Sequence, residues 1–242
     1  MYAASLPSAA ATMALSTAYW LSRYGRLHPV RIVESLNLVQ VGRFPRTATW
    51  RRAIGDVEKA IELADWPFGR GQFLLNPDPI RDRKGKLDSH SNGVLPIKQP
   101  MIGFLASSGW KTEALPKLPV GQAGKDVLTT GDLDALLLDR GRCVGFEWET
   151  GNVSSSHRAI NKLLDGITRE TLQGGILVLP MRETQRYLTD RVGNFEEIAP
   201  YFELWERYPL SNGALRIYGI AHDALDSSVP HIPKGKDGRA LL

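Results

Sequence analysis

The chain of 242 residues is poor in thiols, with one cysteine, Cys143. A single thiol closes no disulfide within the chain, which excludes a disulfide-stapled scaffold and fits a reducing cytoplasm. Zinc motifs are missing too. There is no CxxC or HExxH, and the five histidines (His28, His90, His157, His222, His231) are scattered along the sequence. No local pair of soft ligands is therefore available for zinc. No stretch reaches the ~20 apolar residues that a membrane-spanning helix needs. Residues 1–26 are rich in Ala and Ser. Their apolar run is short, broken by Ser, Thr and Pro, and preceded by no Lys or Arg, so it does not read as a secretory leader. The segment is read as a poorly ordered extension, or as a start set too early with Met13 as the alternative. No internal repeat is present.

What remains is enough for one well-buried domain over residues 27–242. The net charge is +4 and the pI is about 9.2, a balance that suits a polyanionic partner without demanding one. Ala53, Ile54, Val57, Ala60, Ile61 and Ala64 recur at three- and four-residue spacing, which predicts a helix from Trp50 to Trp66 ended by Pro67 and Gly69. Asn76–Asn92 is polar and dense in charge, the best candidate for a mobile surface connection. A second helix is expected from Pro96 to about Glu113, and an irregular stretch from Leu115 to Gly131. Cys143–Glu149 reads as a strand, followed by a Gly-Asn turn and a helix from Ser154 to Ile167. Ile176–Leu179 and Leu215–Ala221 read as strands, and Glu183–Asp190 as helical. Phe195, Ile198, Tyr201, Phe202 and Trp205 form a helical stripe, and Ser227–Leu242 a loop-like tail. Strands mixed with helices make an α/β or α+β fold class.

The chemistry centres on Asp134 and on Glu147-Trp148-Glu149. Side chains two apart on a strand share a face, so Glu147 and Glu149 point the same way, roughly 6.5–7 Å apart at the backbone. Like charges so placed repel unless a cation lies between them. Oxygen-only donors of this kind favour Mg²⁺, with Mn²⁺ able to substitute. An acidic residue followed by Glu-x-Glu or Glu-x-Lys is the nuclease arrangement written PD-(D/E)xK, a weak pattern by itself. Two other readings stay open on these residues. One is a strand whose acidic face is merely solvated, and the other is a glycosidase, whose two carboxylates flank a sugar bond.

The text around the carboxylates is far more specific. VGFEWETGNVSSSHRAINKLLDGI (Val144–Ile167) is followed by ILVLPM, by YLTDRVGNFEEIAPYFELWE (Tyr187–Glu206) and by VPHIPKGKDGRA (Val229–Ala240), with NGVLPIK (Asn92–Lys98) upstream. These blocks, in this order, resemble the BamHI family of type II restriction endonucleases, and a short member of it most closely. Weaker similarity extends back to about Trp50. The resemblance implies the restriction-endonuclease α/β fold, a central mixed sheet flanked by helices. It also implies Mg²⁺-dependent hydrolysis of double-stranded DNA at GGATCC, cut after the first G to leave four-base 5′ overhangs. A homodimer is implied, as is a DNA methyltransferase in the same system. Asp134 and Glu147 match the metal-binding carboxylates, and the carbonyl of Trp148 a further ligand. Glu149 stands where many other nucleases have Lys, and orients or deprotonates the attacking water. Glu113, three residues after Trp110, matches a ligand of a second metal, and Lys98 a DNA-contacting lysine.

Recognition residues carry over in the same way. Asn152, Ser154 and Arg158 match one set of major-groove readers, and Asp190 and Arg191 a second. Arg pairs bidentately with guanine, Asn with adenine, and Asp accepts from cytosine, each good contact giving about 1–3 kcal/mol of discrimination. Without the resemblance, Ser154 reads as a helix cap and Asp190-Arg191 as a surface ion pair. Residues 229–242, with Lys234, Gly235 and Asp237, resemble the family's minor-groove segment; by itself this is a flexible basic tail. A palindromic target calls for a two-fold symmetric protein. The helix from Arg158 to about Arg169 and the segment Phe202–Glu206 match the dimer surface. The departures are a shorter spacer between Asp134 and Glu147, an end four residues after Gly238, and no counterpart for residues 1–26 or 76–92. Asp132 competes with Asp134 for the metal role, but Gly-x-Leu-Asp favours Asp134. A different palindrome, or a DNA-binding protein without catalysis, are the competing readings.

Overall fold

The computed structural model describes residues 31–81, 84–116, 131–189 and 192–234. The expectations for residues 1–26, most of Leu115–Gly131, Asp190, Arg191, Gly235 and Asp237 fall outside these. The core is a six-stranded mixed sheet in the order β1-β9-β8-β7-β6-β5. Its members are β1 (Arg31–Val41), β5 (Lys111–Ala114), β6 (Leu133–Asp139), β7 (Arg142–Trp148), β8 (Gly174–Pro180) and β9 (Gly213–Ala221). β7, β8 and β9 run parallel, and the flanking pairs are antiparallel. Parallel strands are covered on both faces, so they read as continuous apolar runs. β8, GGILVLP, is buried at every position.

Helices cover each face. On one lie α1 (Ala48–Glu62) and α2 (Leu95–Ser107), packed with Phe146, Trp148, Ile176 and Val178. On the other lies α3 (Val153–Thr168), whose Ile160, Leu163 and Leu164 pack on Leu177, Leu179 and Leu215. α3 is the crossover between the parallel strands β7 and β8, and the β6–β7 hairpin enters directly before it. Thr47 caps α1 by accepting the amide of Trp50.

Several boundaries differ from expectation. α1 ends at Glu62, with Leu63 as its C-cap, rather than at Trp66; Trp66 precedes Pro67, and a residue before proline is pushed out of helical geometry. Trp66 instead bridges to Phe73. The second helix does not reach Glu113. Gly109, at φ 89°, turns the chain, and Trp110 plugs the core edge-on to Phe146. Glu113 therefore lies on strand β5. The aromatic stripe from Phe195 is not one helix. It is divided into α5 (Phe195–Ile198), a 3-10 turn containing Pro200 and α6 (Phe202–Glu206), since proline lacks the N–H a helix interior needs. A single turn, α4 (Arg182–Gln185), replaces the helix expected up to Asp190.

The charged loop Asn76–Asn92 is not a free surface connection. It carries a small ladder, β3 (Ile80–Arg81) with β4 (Leu87–Asp88), and both ends are anchored. Asn92 is fully buried. Its side-chain amide donates to the carbonyls of Asn76 and Tyr187, and its oxygen accepts the amide of Ile232. One side chain thus ties together the loop, the segment before Asp190 and the tail. The tail has no regular structure as far as Lys234, as expected, but Val229 and Ile232 are buried.

Candidate active site

The acidic residues are placed by a tight hairpin. β6 and β7 join through Arg140-Gly141, at φ 52° and 73°, the left-handed pair of a type I′ turn, whose twist matches the strands it links. The turn sets the register, with Asp139 opposite Arg142 and Ala135 opposite Phe146. Asp134 then falls near the end of β7. Its side chain serves as a rung there, Oδ2 accepting the Trp148 amide at 2.8 Å. Oδ1 accepts Lys98 Nζ, from α2, also at 2.8 Å. Trp148, whose carbonyl was expected among the ligands, is thereby fixed at the same edge.

Glu147 is 7% exposed and alternates with Phe146 and Trp148, which enter the core on the opposite face. Burial pushes its carboxyl up to about 7; Lys162 opposes this, and the charges of Asp134 and Glu149 add to it. Lys162 Nζ donates to Glu147 Oε1 at 2.5 Å. Glu149 lies one residue past β7, with its amide still bonded to the Val178 carbonyl. Burial raises its carboxyl too, against the Gly151 amide it accepts and the positive charge of Arg158, while Asp134 adds to the rise. Asp134, Glu147 and Glu149 are thus one electrostatic group. Glu113 sits between Thr112 and Ala114, whose partners are Ala135 and Leu133, which puts it level with Asp134 on the neighbouring strand. It is exposed, at φ 47°, a conformation that costs a non-glycine residue about 1–3 kcal/mol.

The donor set suits a hard divalent cation. Its donors are oxygens, and the most buried carboxylate is destabilised as an anion by desolvation and by its acidic neighbours. The fit is incomplete as the side chains stand. Among the described residues, no three carboxylate, imidazole or thiol groups converge on one point. Lysine ammoniums hold an oxygen of Asp134 and one of Glu147 instead. Asp132, the rival, has an exposed side chain, and its contribution is a carbonyl that accepts Lys162 at 2.8 Å.

Three of the expected DNA readers, Asn152, Ser154 and Arg158, follow this group on the next element. Asn152 caps α3, its oxygen accepting the Ser155 amide at 3.1 Å, so Asn152 rather than Ser154 is the cap. Ser154 and Arg158 are exposed one turn apart, and Arg158 acts on Glu149. The chain at Gly193 docks on the start of α3. Gly193 donates to the Gly151 carbonyl at 2.7 Å, and a Cβ at Gly193 would come within 2.9 Å of Ser156 Oγ and 3.2 Å of the Val153 amide. Lys234 pairs with Asp88 at 2.9 Å, which holds the Asp88 carboxyl below its usual range. The tail crosses Gly93 so closely that a Cβ there would lie 2.2 Å from the Pro233 carbonyl. The residue that sequence reasoning missed is Lys162. Its signal was its position, four after Arg158 and eight after Ser154, on the same helical face.

The family model for restriction endonuclease BamHI matches residues 30–239. The type II restriction enzyme OkrAI of Oceanobacter kriegii is 42% identical over 188 residues, covering 78% of this chain and 89% of the relative. The type II restriction enzyme BamHI of Bacillus amyloliquefaciens is 35% identical over 192 residues, 78% of this chain and 82% of the relative. The crystal structure of restriction endonuclease BglII complexed with a DNA 16-mer superposes with a TM-score of 0.53 at 12% identity, covering 80% of this chain and 78% of that one, a likeness of fold. With the carboxylate hairpin, the helix behind it and these matches together, the chain belongs to the BamHI family of type II restriction endonucleases, site-specific deoxyribonucleases.

Proposed function

We propose that the enzyme hydrolyses double-stranded DNA at GGATCC, cutting after the first G, as a Mg²⁺-dependent homodimer. The observation that carries this is the adjacency of two groups. Asp134, Glu147 and Glu149 end the β6–β7 hairpin, and the next element, α3, opens with Asn152, Ser154 and Arg158. A base-reading surface and a phosphodiester-cutting group then meet one stretch of duplex from one edge of the sheet.

Asp134 and Glu147 would hold the cation, with the Trp148 carbonyl and Glu113 as further donors. The bound cation lowers the pKa of water and offsets charge building on the phosphate. Glu149 receives the proton of the attacking water, a role favoured by burial that raises its affinity for a proton. Lys98 is half-exposed at 42%, so it can reach a phosphate oxygen while still touching Asp134. Asn152, Ser154, Arg158, Asp190 and Arg191 read base edges in the major groove, and Lys234, Gly235 and Asp237 follow the minor groove. Outer α3 and Phe202–Glu206 form the two-fold interface. Leu204 is 68% exposed there, whereas Trp205 is buried. A partner methyltransferase protects host DNA.

Digestion of unmethylated phage DNA with MgCl₂ and with EDTA, followed by sequencing of the fragment ends, tests the reading. Discrete Mg²⁺-dependent fragments beginning 5′-GATC are expected. Fragments at another palindrome would overturn the recognition assignments and keep the chemistry. No cleavage under any metal or salt condition would sink the catalytic reading.

A further inference from the structure

The pair Lys162–Glu147 is the most buried ion pair among the described residues, with side chains 13% and 9% exposed. Lys162 makes two contacts, to Glu147 Oε1 and to the Asp132 carbonyl. It thereby joins α3 to β7 and to the residue that leads into β6. Burial of a carboxylate beside two others is unfavourable without positive charge close by. The ammonium supplies one unit of it through a flexible stem, on an oxygen that a divalent cation would also use. The Asp132 carbonyl offers it a second seat without leaving the site.

We propose that Lys162 is the resident counter-cation of the metal-free site. It holds Glu147 in place before a divalent cation arrives, and shifts its hold to the Asp132 carbonyl when one does. This rests on the reading of Asp134 and Glu147 as cation ligands. Lys162 is a positioning residue that acts through Glu147. It also places the catalytic carboxylate under the control of the helix that carries Ser154 and Arg158.

A lysine that merely supports the fold would be missed equally with and without metal. A stand-in for the metal would be missed chiefly without it. Thermal unfolding of the full chain, without DNA, in EDTA and across a MgCl₂ series separates the two. The variants are Lys162→Met, and Lys162→Gln, which keeps a donor for Asp132 and loses the charge. In EDTA both variants should melt roughly 5–10 °C below wild type. MgCl₂ should raise their Tm more than it raises that of wild type, with a midpoint at several-fold lower concentration. A variant unfolded in EDTA but folded in MgCl₂ gives the same support. A Mg²⁺ shift in the variants equal to or smaller than that of wild type, or a variant that stays unfolded in MgCl₂, overturns the inference. A wild type indifferent to MgCl₂ overturns the cation-ligand reading itself, and this inference with it.

Discussion

Two lysine–carboxylate pairs stand at the end of one hairpin, and they are not equivalent. On the floor of the site, Lys162 of α3 meets Glu147 with both side chains nearly enclosed, at 13% and 9% exposure. On its outer wall, Lys98 of α2 meets Asp134 at 42% and 17%. The floor pair compensates charge that water cannot reach. In the wall pair water screens the lysine, and Asp134 has a second partner in the Trp148 amide. Similar contacts thus do different work. Burial makes the floor pair a condition for an ionised Glu147, while the wall pair leaves a lysine in contact with solvent.

The largest effect should come from the carboxylates. Glu147→Gln and Asp134→Asn should each lower cleavage by on the order of 10³-fold or more. Gel-shift affinity for the target in EDTA should fall far less, since neither residue reads a base. If either variant cuts within tenfold of wild type, the roles assigned to the two pairs are wrong.

Stability sharpens the contrast next. In EDTA at a pH well above 7, where Glu147 is ionised, Lys162→Met should cost about 3–5 kcal/mol, the usual result of stranding a buried charge. Lys98→Met should cost about 1 kcal/mol or less, because its partner keeps an amide and water screens the pair. Urea denaturation of both variants checks this, and equal losses would erase the distinction between floor and wall.

A pH series tests the floor in a further way. Glu147 is raised from 4.5 to about 7 by burial, against Lys162 of α3 and reinforced by Asp134 of β6 and by Glu149. A carboxyl with a raised pKa binds its proton more tightly folded than unfolded. Its contribution is fully present below about pH 4.5 and is lost as pH rises through about 7. Metal-free wild type should therefore lose stability relative to Glu147→Gln across that window and level off above it. Asp134→Asn should keep this trend. A flat difference between pH 4.5 and 7 would show that the floor is wetter than its exposure indicates.

Much of the strand that carries Glu147 was legible because its signals are local. The alternation of Val144, Phe146 and Trp148 with Glu147 depends on neighbours within a few positions, whereas the helix cap, read at Ser154, lies at Asn152. Asp134 lies on β6, the antiparallel partner of that strand. Glu113 was misplaced on a helix because its strand is set by β6, by the turn at Gly109 and by the core's demand for Trp110. The broken stripe from Phe195 kept its buried residues, Phe195, Ile198 and Trp205, although its geometry changed. Burial pattern survives a change of helix type more readily than element boundaries do.

By itself, then, the sequence determined the chemistry available: three acids, a helix that opens with polar residues after them, and wording shared with one nuclease family. Those properties are written in residue identity and short-range spacing. Tertiary structure decided which cation meets which acid, and how deep. Lys162 reaches Glu147 across fifteen positions because the crossover helix packs back over its own strand, and Asn92 joins segments up to 140 residues away because the tail returns to it. Such pairings depend on how packed layers close over one another, and no local period in the chain records that.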